Sequence, residues 1–172
     1  MAANPGRAAA PVGAFDLPLR VSARADYAIR ALTEMAASGG GPITAQRLSD
    51  AQAIPLKFLL NILAELRRAG LVQSRRGPVA GYALTRPARN VTLEDIIRAI
   101  EGDLSGVHGT SLEKIAYPGA AGPLRDVWLA VRSSLSAVLA TVTLTDIAEG
   151  NLPPAVRALA RRSYPAAERA SP

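Results

Sequence analysis

The stretch "IPLKFLLNILAELRRAGLVQSRRGPVAGYALT", from Ile54 to Thr85, limits the fold of this chain more than any other segment. Pro55 suits a first helical turn, where its missing N–H costs nothing, and Gly70 suits the stop after the last turn. Between them Leu59, Ile62, Leu63 and Leu66 recur at helical spacing, while Lys57, Asn61, Glu65 and Arg68 lie off that stripe. The pattern then changes. "LVQS" and "YALT" predict two short strands around a Gly-Pro turn that carries Arg75 and Arg76.

The flanking sequence supplies what this helix must pack against. Upstream, "SARADYAIRALTEMAAS" sets Tyr27, Ala28, Ala31, Leu32 and Met35 on one stripe behind a Ser22 N-cap, and "SGGGP" at Ser38–Pro42 ends that helix. Thr44 can cap a short helix with Leu48 and Ala51 turned inward, and a break near Gln52–Ala53 leads into the Pro55 helix. Downstream, "TLEDIIRAIEG" starts at Thr92 with Asp95 at the capping-box distance. The order helix, short helix, turn, helix, hairpin predicts a helix-turn-helix with a wing.

The expected fold class is mainly α with a small β-hairpin: a winged helix-turn-helix domain over residues 19–101 plus a long dimerisation helix. Residues 102–122 are broken by Gly102, Gly106, Gly109, Pro118, Gly119 and Gly122 and read as an irregular sensor or linker loop. In "PLRDVWLAVRSSLSAVLATV", Leu124, Val127, Trp128, Val131, Leu135, Val138, Leu139 and Val142 form a coiled-coil-like seam of about three heptads. With a short helix capped by Thr143 or Thr145, this makes a dimerisation region over 123–150. Residues 1–18 read as a flexible leader, and 151–172, with four prolines, as a partly disordered tail.

Charge narrows the function. Residues 20–89 hold eleven Arg/Lys against four Asp/Glu, residues 90–172 hold eight against nine, and residues 1–19 balance. The net charge of +6 therefore lies in the first half of the folded region, as on a surface that meets an anionic partner. The chain has no cysteine, which excludes disulfides, cysteine nucleophiles and thiolate-held metal or iron–sulfur clusters. His108 is the sole imidazole; Asp103 and Glu113 are near it in sequence, and a solvated loop is the favoured reading over a metal site. No cofactor is expected. "SGGGP" lacks the Lys-Ser/Thr of a P-loop, and no nucleophile–base pair stands out, so an enzyme is not expected. No apolar run approaches the ~20 residues of a membrane span, and a cytoplasmic location is expected.

A winged helix-turn-helix with this charge reads as a binder of double-stranded DNA. The helix opened by Pro55 would enter the major groove by its N-terminal end, with Lys57 positioned for guanine O6/N7 and Asn61 for adenine N6/N7. Pro55, Leu56 and Phe58 would touch thymine methyls or pack. Arg75, Arg76 and Gly77 would form a wing tip able to place arginine in a narrow minor groove. The alternative is a winged helix used only as a protein–protein adaptor, with an apolar patch on that helix in place of polar contacts. Trp128 reads either as a dimer-interface anchor or, with Tyr117 and His108, as a wall of a small-molecule effector pocket.

Three segments carry a family resemblance: "LRVSARADYAIRAL", "IPLKFLLNILAELRRAGLVQSRRGPVAGYALTRP" and "VTLEDIIRAIEG". The chain resembles the winged-helix regulators that include IscR, NsrR and CymR (the Rrf-two family) over about residues 19–148, most specifically in "LRRAGLV-x-S-x-RGP-xx-GY". The resemblance implies a homodimer joined through the long helix, a pseudo-palindromic operator, and a transcriptional regulator, more often a repressor. By position it makes Arg76 the wing residue, Pro55–Asn61 the start of the recognition helix, and Ser22 and Arg24 phosphate contacts. Ala80 departs from it, standing where the family usually has a further glycine. The larger departure is the loop after "IEG", where cluster-binding relatives have three cysteines and this chain has none.

Overall fold

A computed structural model describes residues 21–77, 80–102, 106–107, 110–111 and 114–163. Its first three helices are α1 (Ala23–Ala37), α2 (Ala45–Gln52) and α3 (Leu56–Arg68). The hydroxyl of Ser22 accepts the Ala25 N–H at 3.1 Å and that of Thr44 accepts the Arg47 N–H at 3.2 Å, so side chains cap α1 and α2 as their sequences require. Pro55 stands one residue before α3, and Gly70 takes a left-handed φ of 74° just past its end. Ala28, Ala31, Leu32 and Met35 of α1 meet Leu48 of α2 and Leu59, Leu63 and Leu66 of α3 in one buried cluster. Tyr27, expected in that stripe, is half-buried, with the Arg30 guanidinium 5.6 Å from its ring centre.

The turn between α2 and α3 differs from expectation in one detail. Ala51 is exposed, and Ser49 faces inward. The Ser49 hydroxyl donates to the Ile54 carbonyl at 2.7 Å, and the Ile54 N–H returns to the Ser49 carbonyl at 3.0 Å. A buried hydroxyl needs such a partner, and here it closes the turn. From α1, Arg30 donates to the Gln52 carbonyl, while the Gln52 amide donates to Glu34 at 2.7 Å. Helix α1 therefore fixes the turn from outside.

The hairpin pairs β1 (Val72–Arg75) with β2 (Gly81–Leu84), Val72 opposite Leu84 and Arg75 opposite Gly81. Tyr82 also exchanges backbone hydrogen bonds with Ile43, at 2.9 and 2.8 Å, which ties the wing to the segment leading into α2. This close approach depends on Gly81: a Cβ there would lie 2.6 Å from the Ile43 carbonyl oxygen. Ala80 is exposed and has no positive φ, so its methyl meets no such barrier.

Helix α4 (Leu93–Glu101) begins at a capping box in which the Asp95 N–H donates to the Thr92 hydroxyl at 3.2 Å and the Thr92 N–H to the Asp95 carboxylate at 3.1 Å. Between α4 and the next helix the backbone forms two short strands, β3 (Gly106–Val107) and β4 (Thr110–Ser111), and a 3-10 turn at Gly119–Ala121, where glycine and proline alone suggested irregular chain. Helices α5 (Leu124–Thr141), α6 (Leu144–Ala148) and α7 (Pro154–Ser163) follow. Thr143 caps α6 through a second capping box with Asp146. The two boxes sit in matching sequences, "VTLEDI" and "VTLTDI", and pair with each other: Leu93 N–H to Val142 carbonyl and Leu144 N–H to Val91 carbonyl, each at 3.0 Å.

That pairing corrects the reading of Val142. Helix α5 stops at Thr141, Val142 is extended, and its side chain is only 3% exposed. It belongs to the protomer's own core, so the seam ends before it. The segment expected to be a partly disordered tail contains α7 over Pro154–Ser163; the leader, residues 1–18, and residues 164–172 lie outside the described residues.

Candidate nucleic-acid interface

Helix α3 buries one apolar stripe and leaves Phe58 and Leu60 exposed beside its polar residues. Leu59, Ile62, Leu63 and Leu66 are buried, which leaves Lys57, Asn61 and Arg68 on the opposite, exposed side at i, i+4 and i+11. Lys57 and Asn61 lie in its first two turns, the part that a helix-turn-helix presents to base edges. Of the three apolar candidates, Leu56 is half-buried, Pro55 is exposed, and Phe58 is 58% exposed. Phe58 therefore contributes little to the protomer's core.

Arg75 closes β1 and Arg76 opens the loop beyond it; both are exposed, and Gly77 follows with φ 107°. Several other arginines are ion-paired. Arg30 is paired with Asp26 at 3.2 Å, Arg86 with Asp95 at 2.6 Å and Arg98 with Glu94 at 3.1 Å. Lys57, Arg75 and Arg76 have no carboxylate partner among the described residues. Uncompensated cations on one helix end and one wing favour an anionic partner, whereas paired ones contribute little net field.

Ser22 and Arg24, expected at phosphates, are both engaged within the protein. The Ser22 hydroxyl donates to Glu101 at 2.5 Å while capping α1. Arg24 donates to Glu65 of α3 at 2.5 Å and to the Ile100 carbonyl at 3.4 Å. In this state Arg24 is a brace between α1, α3 and the end of α4. Sequence reasoning missed this brace, the Arg30–Gln52 contact and the Ile43–Tyr82 bridge. Only the repeated "VTL-x-DI" motif gave a readable signal, for the pairing of the two capping boxes.

Comparison with known proteins identifies this arrangement. The profile of the Rrf2 family, described as an iron-dependent transcriptional regulator, matches residues 21–150. The chain belongs to the Rrf2 family. An HTH-type transcriptional regulator of Mycobacterium tuberculosis is 41% identical over 143 residues, covering 83% of this chain and 89% of that protein. CymR of Bacillus subtilis is similar in sequence and structure: 30% identity over 76% of this chain and 90% of that protein, and a TM-score of 0.65 over 97% of the solved CymR chain. The IscR structure of T. potens gives a TM-score of 0.64 at 30% identity, covering 78% of this chain and 90% of that one. This Rrf2 protein is thus a DNA-binding transcriptional regulator, and its kin are regulators and not enzymes.

The family description raises iron, and the donor set here does not fit it. An iron–sulfur cluster needs thiolate ligands, and this Rrf2 chain has no cysteine. Among the described residues no three His, Asp or Glu side chains gather where they could hold a metal ion. His108, Asp103 and Glu113 lie outside the described residues. Tyr117 is half-buried and Trp128 is 38% exposed.

The long helix is the remaining exposed feature. Leu124, Val127, Trp128, Val131 and Leu135 are all exposed, Val138 is half-buried, and no residue of α5 is fully buried. A hydrogen bond from Ser136 to Glu94 at 2.6 Å joins it to α4. No helix among the described residues is long and apolar enough to cross a membrane.

Proposed function

We propose that this chain is a homodimeric, sequence-specific repressor that acts in the cytoplasm on a pseudo-palindromic operator, without an iron–sulfur cluster. Helix α3 reads the major groove with Lys57 and Asn61, and the wing sends Arg76 into the adjacent minor groove while Arg75 meets phosphate. Pro55 and Leu56 set the helix end against the groove wall, and Gly77 lets the wing tip turn. The observation that carries the reading is that Lys57 on α3 and Arg75 and Arg76 on the wing are exposed and have no carboxylate partner among the described residues, on a domain of the Rrf2 family. The dimer is supported by the exposed apolar stripe on α5, since contiguous exposed apolar side chains mark interaction surfaces. Two such domains joined through α5 would cover a promoter, hence repression. Ser22 acts by holding α1 to the end of α4 and Arg24 by holding it against α3, with Arg24 free to exchange Glu65 for a phosphate when DNA arrives. A small-molecule effector would act where α5 meets the 102–122 segment, near Tyr117 and Trp128.

The test is a titration of Arg76→Ala, Arg75→Ala, Lys57→Ala and Asn61→Ala against a selected operator and a scrambled duplex at two salt concentrations. Arg76→Ala should weaken operator binding by about 1–3 kcal/mol. Arg75→Ala should weaken both duplexes alike and flatten the salt slope, whereas Lys57→Ala and Asn61→Ala should relax preference at particular base pairs. A folded Arg76→Ala dimer indistinguishable from wild type on both duplexes removes the wing from the mechanism. Binding that ignores salt altogether favours the adaptor alternative.

A further inference from the structure

Helix α7 lies beyond the residues matched by the Rrf2 profile, which end at 150. Its ten residues, "PAVRALARRS", contain three arginines and no carboxylate. Arg157 and Arg161 are one turn apart on the same face, and with Arg162 they are exposed and have no acidic partner among the described residues. The opposite side carries Val156, half-buried, and Leu159, 48% exposed.

The helix dipole accounts for part of this charge. Cations in a last turn are favourable, which suits Arg161 and Arg162. The dipole does not explain Arg157, nor a first turn without an acidic residue. Solubility does not explain it either, since a solvated face gains as much from mixed charges. The wider sequence sharpens the point. Residues 151–172 hold four arginines against Glu168 alone, whereas residues 90–150 hold four cations against eight carboxylates. A positive excess of this size returns only after the chain has left α5.

Position favours the same partner as the winged domain. Leu144 of α6 is fully buried in the core cluster that also contains α1 and α3, so α6 is part of the DNA-binding body. Five residues, Glu149–Pro153, link α6 to α7 and span at most ~17 Å. That link is itself bonded, Asn151 N–H to the Asp146 carbonyl at 2.8 Å and Gly150 N–H to the Ile147 carbonyl at 3.1 Å. Helix α7 is therefore tethered close to the body that carries α3.

We propose that α7 is a second DNA-contacting element, in which Arg157, Arg161 and Arg162 bind duplex phosphates without reading sequence. This rests on the DNA-binding reading above. Such contacts release counterions, so they raise affinity on all duplexes and steepen its dependence on salt.

The experiment uses the full-length chain. A duplex selected by the wild-type protein from a random pool, and its scrambled version, are titrated at several salt concentrations against wild type, a triple variant Arg157→Gln, Arg161→Gln, Arg162→Gln, and a triple Arg→Lys variant at the same positions. The glutamine variant should bind both duplexes roughly tenfold more weakly, with a log–log salt slope shallower by about 1–3 per protomer. The ratio between the duplexes should not change, and the lysine variant should keep wild-type slope and affinity. A glutamine variant with wild-type slope and affinity overturns the proposal. A changed sedimentation coefficient with an unchanged slope also overturns it, and assigns α7 to a second copy of the chain. If wild type itself shows neither a preference for the selected duplex over the scrambled one nor salt-dependent binding, the DNA-binding reading has failed; if both stand and only the α7 variant is silent, this inference alone has failed.

Discussion

Helices α3 and α5 are both amphipathic, yet they stand in opposite relation to the protomer. Helix α3 buries most of its apolar residues: Leu59, Ile62, Leu63 and Leu66 are buried, and its outward set mixes Lys57, Asn61, Arg67 and Arg68 with Phe58 and Leu60. Helix α5 is longer, at 18 residues, and buries none of them fully. Its apolar stripe of Leu124, Val127, Trp128, Val131 and Leu135 faces outward. The difference follows from what each partner is made of. A polyanion is met with charge and hydrogen bonds on a rigid, pre-packed helix, whereas a second protein chain is met with apolar surface that folding alone leaves uncovered.

The largest expected effect breaks α5. In Val131→Glu with Leu135→Glu, two carboxylates stand in the seam, and burying them against another protomer would cost several kcal/mol. Analytical ultracentrifugation should then show monomers at micromolar concentration. Operator affinity should fall by ~100-fold or more, because the two half-sites no longer share one effective concentration. Circular dichroism should still show a folded domain, since neither side chain lies in the protomer's core. A wild-type chain that is itself a stable monomer would remove the basis for this half of the comparison.

The two helices also differed in how much of them could be read from sequence. For α3 the leucine stripe, Pro55 and Gly70 fixed extent, buried face and exposed face together, because the contacts that define it come from one local stretch. The caps at Ser22, Thr44 and Thr92 were equally legible, being bonds within three residues, and of the two candidates for the α6 cap, Thr143 and Thr145, the structure uses Thr143. For α5 the heptad pattern ran on through Val142, and periodicity alone could not reveal that Val142 leaves the helix to pair with Leu93. Long-range bonds escaped in the same way: Arg24 to Glu65, Arg30 to Gln52, and Ile43 to Tyr82 join residues that no spacing rule connects. The outward set Lys57, Asn61, Arg75 and Arg76 was anticipated, whereas the engagement of Ser22 and Arg24 inside the protein was not.

A second substitution pair sharpens the contrast at constant chemistry. Leu63→Ala removes a fully buried side chain from the α3 core and should lower stability by about 2–5 kcal/mol. Leu135→Ala removes the same atoms from an exposed position, so its effect should appear in the dimer dissociation constant and scarcely in the unfolding of an isolated protomer. Urea melts at two protein concentrations separate these outcomes, because only a dimer contribution makes the midpoint depend on concentration. Equal, concentration-independent losses for the two variants would mean that α5 is packed within the protomer after all.

The smallest effect concerns a single methyl, and its sign is the test. Ala53, in the turn that leads into α3, is left-handed at φ 50° and ψ 45°. An alanine there costs about 1–2 kcal/mol in backbone sterics that glycine avoids. Against this, glycine loses about 0.4–1 kcal/mol more through the freedom of the unfolded chain. Ala53→Gly should therefore stabilise the protein by about 0.5 kcal/mol. Ala130, exposed in the body of α5, is helical, and there the same change should destabilise by about 1 kcal/mol. Differential scanning calorimetry of both variants at one protein concentration reads the two signs side by side. Opposite shifts in Tm support the left-handed hinge held by Arg30 and Ser49; a drop of equal size in both variants shows that Ala53 is not left-handed, and that the close approach of α2 to α3 is achieved some other way.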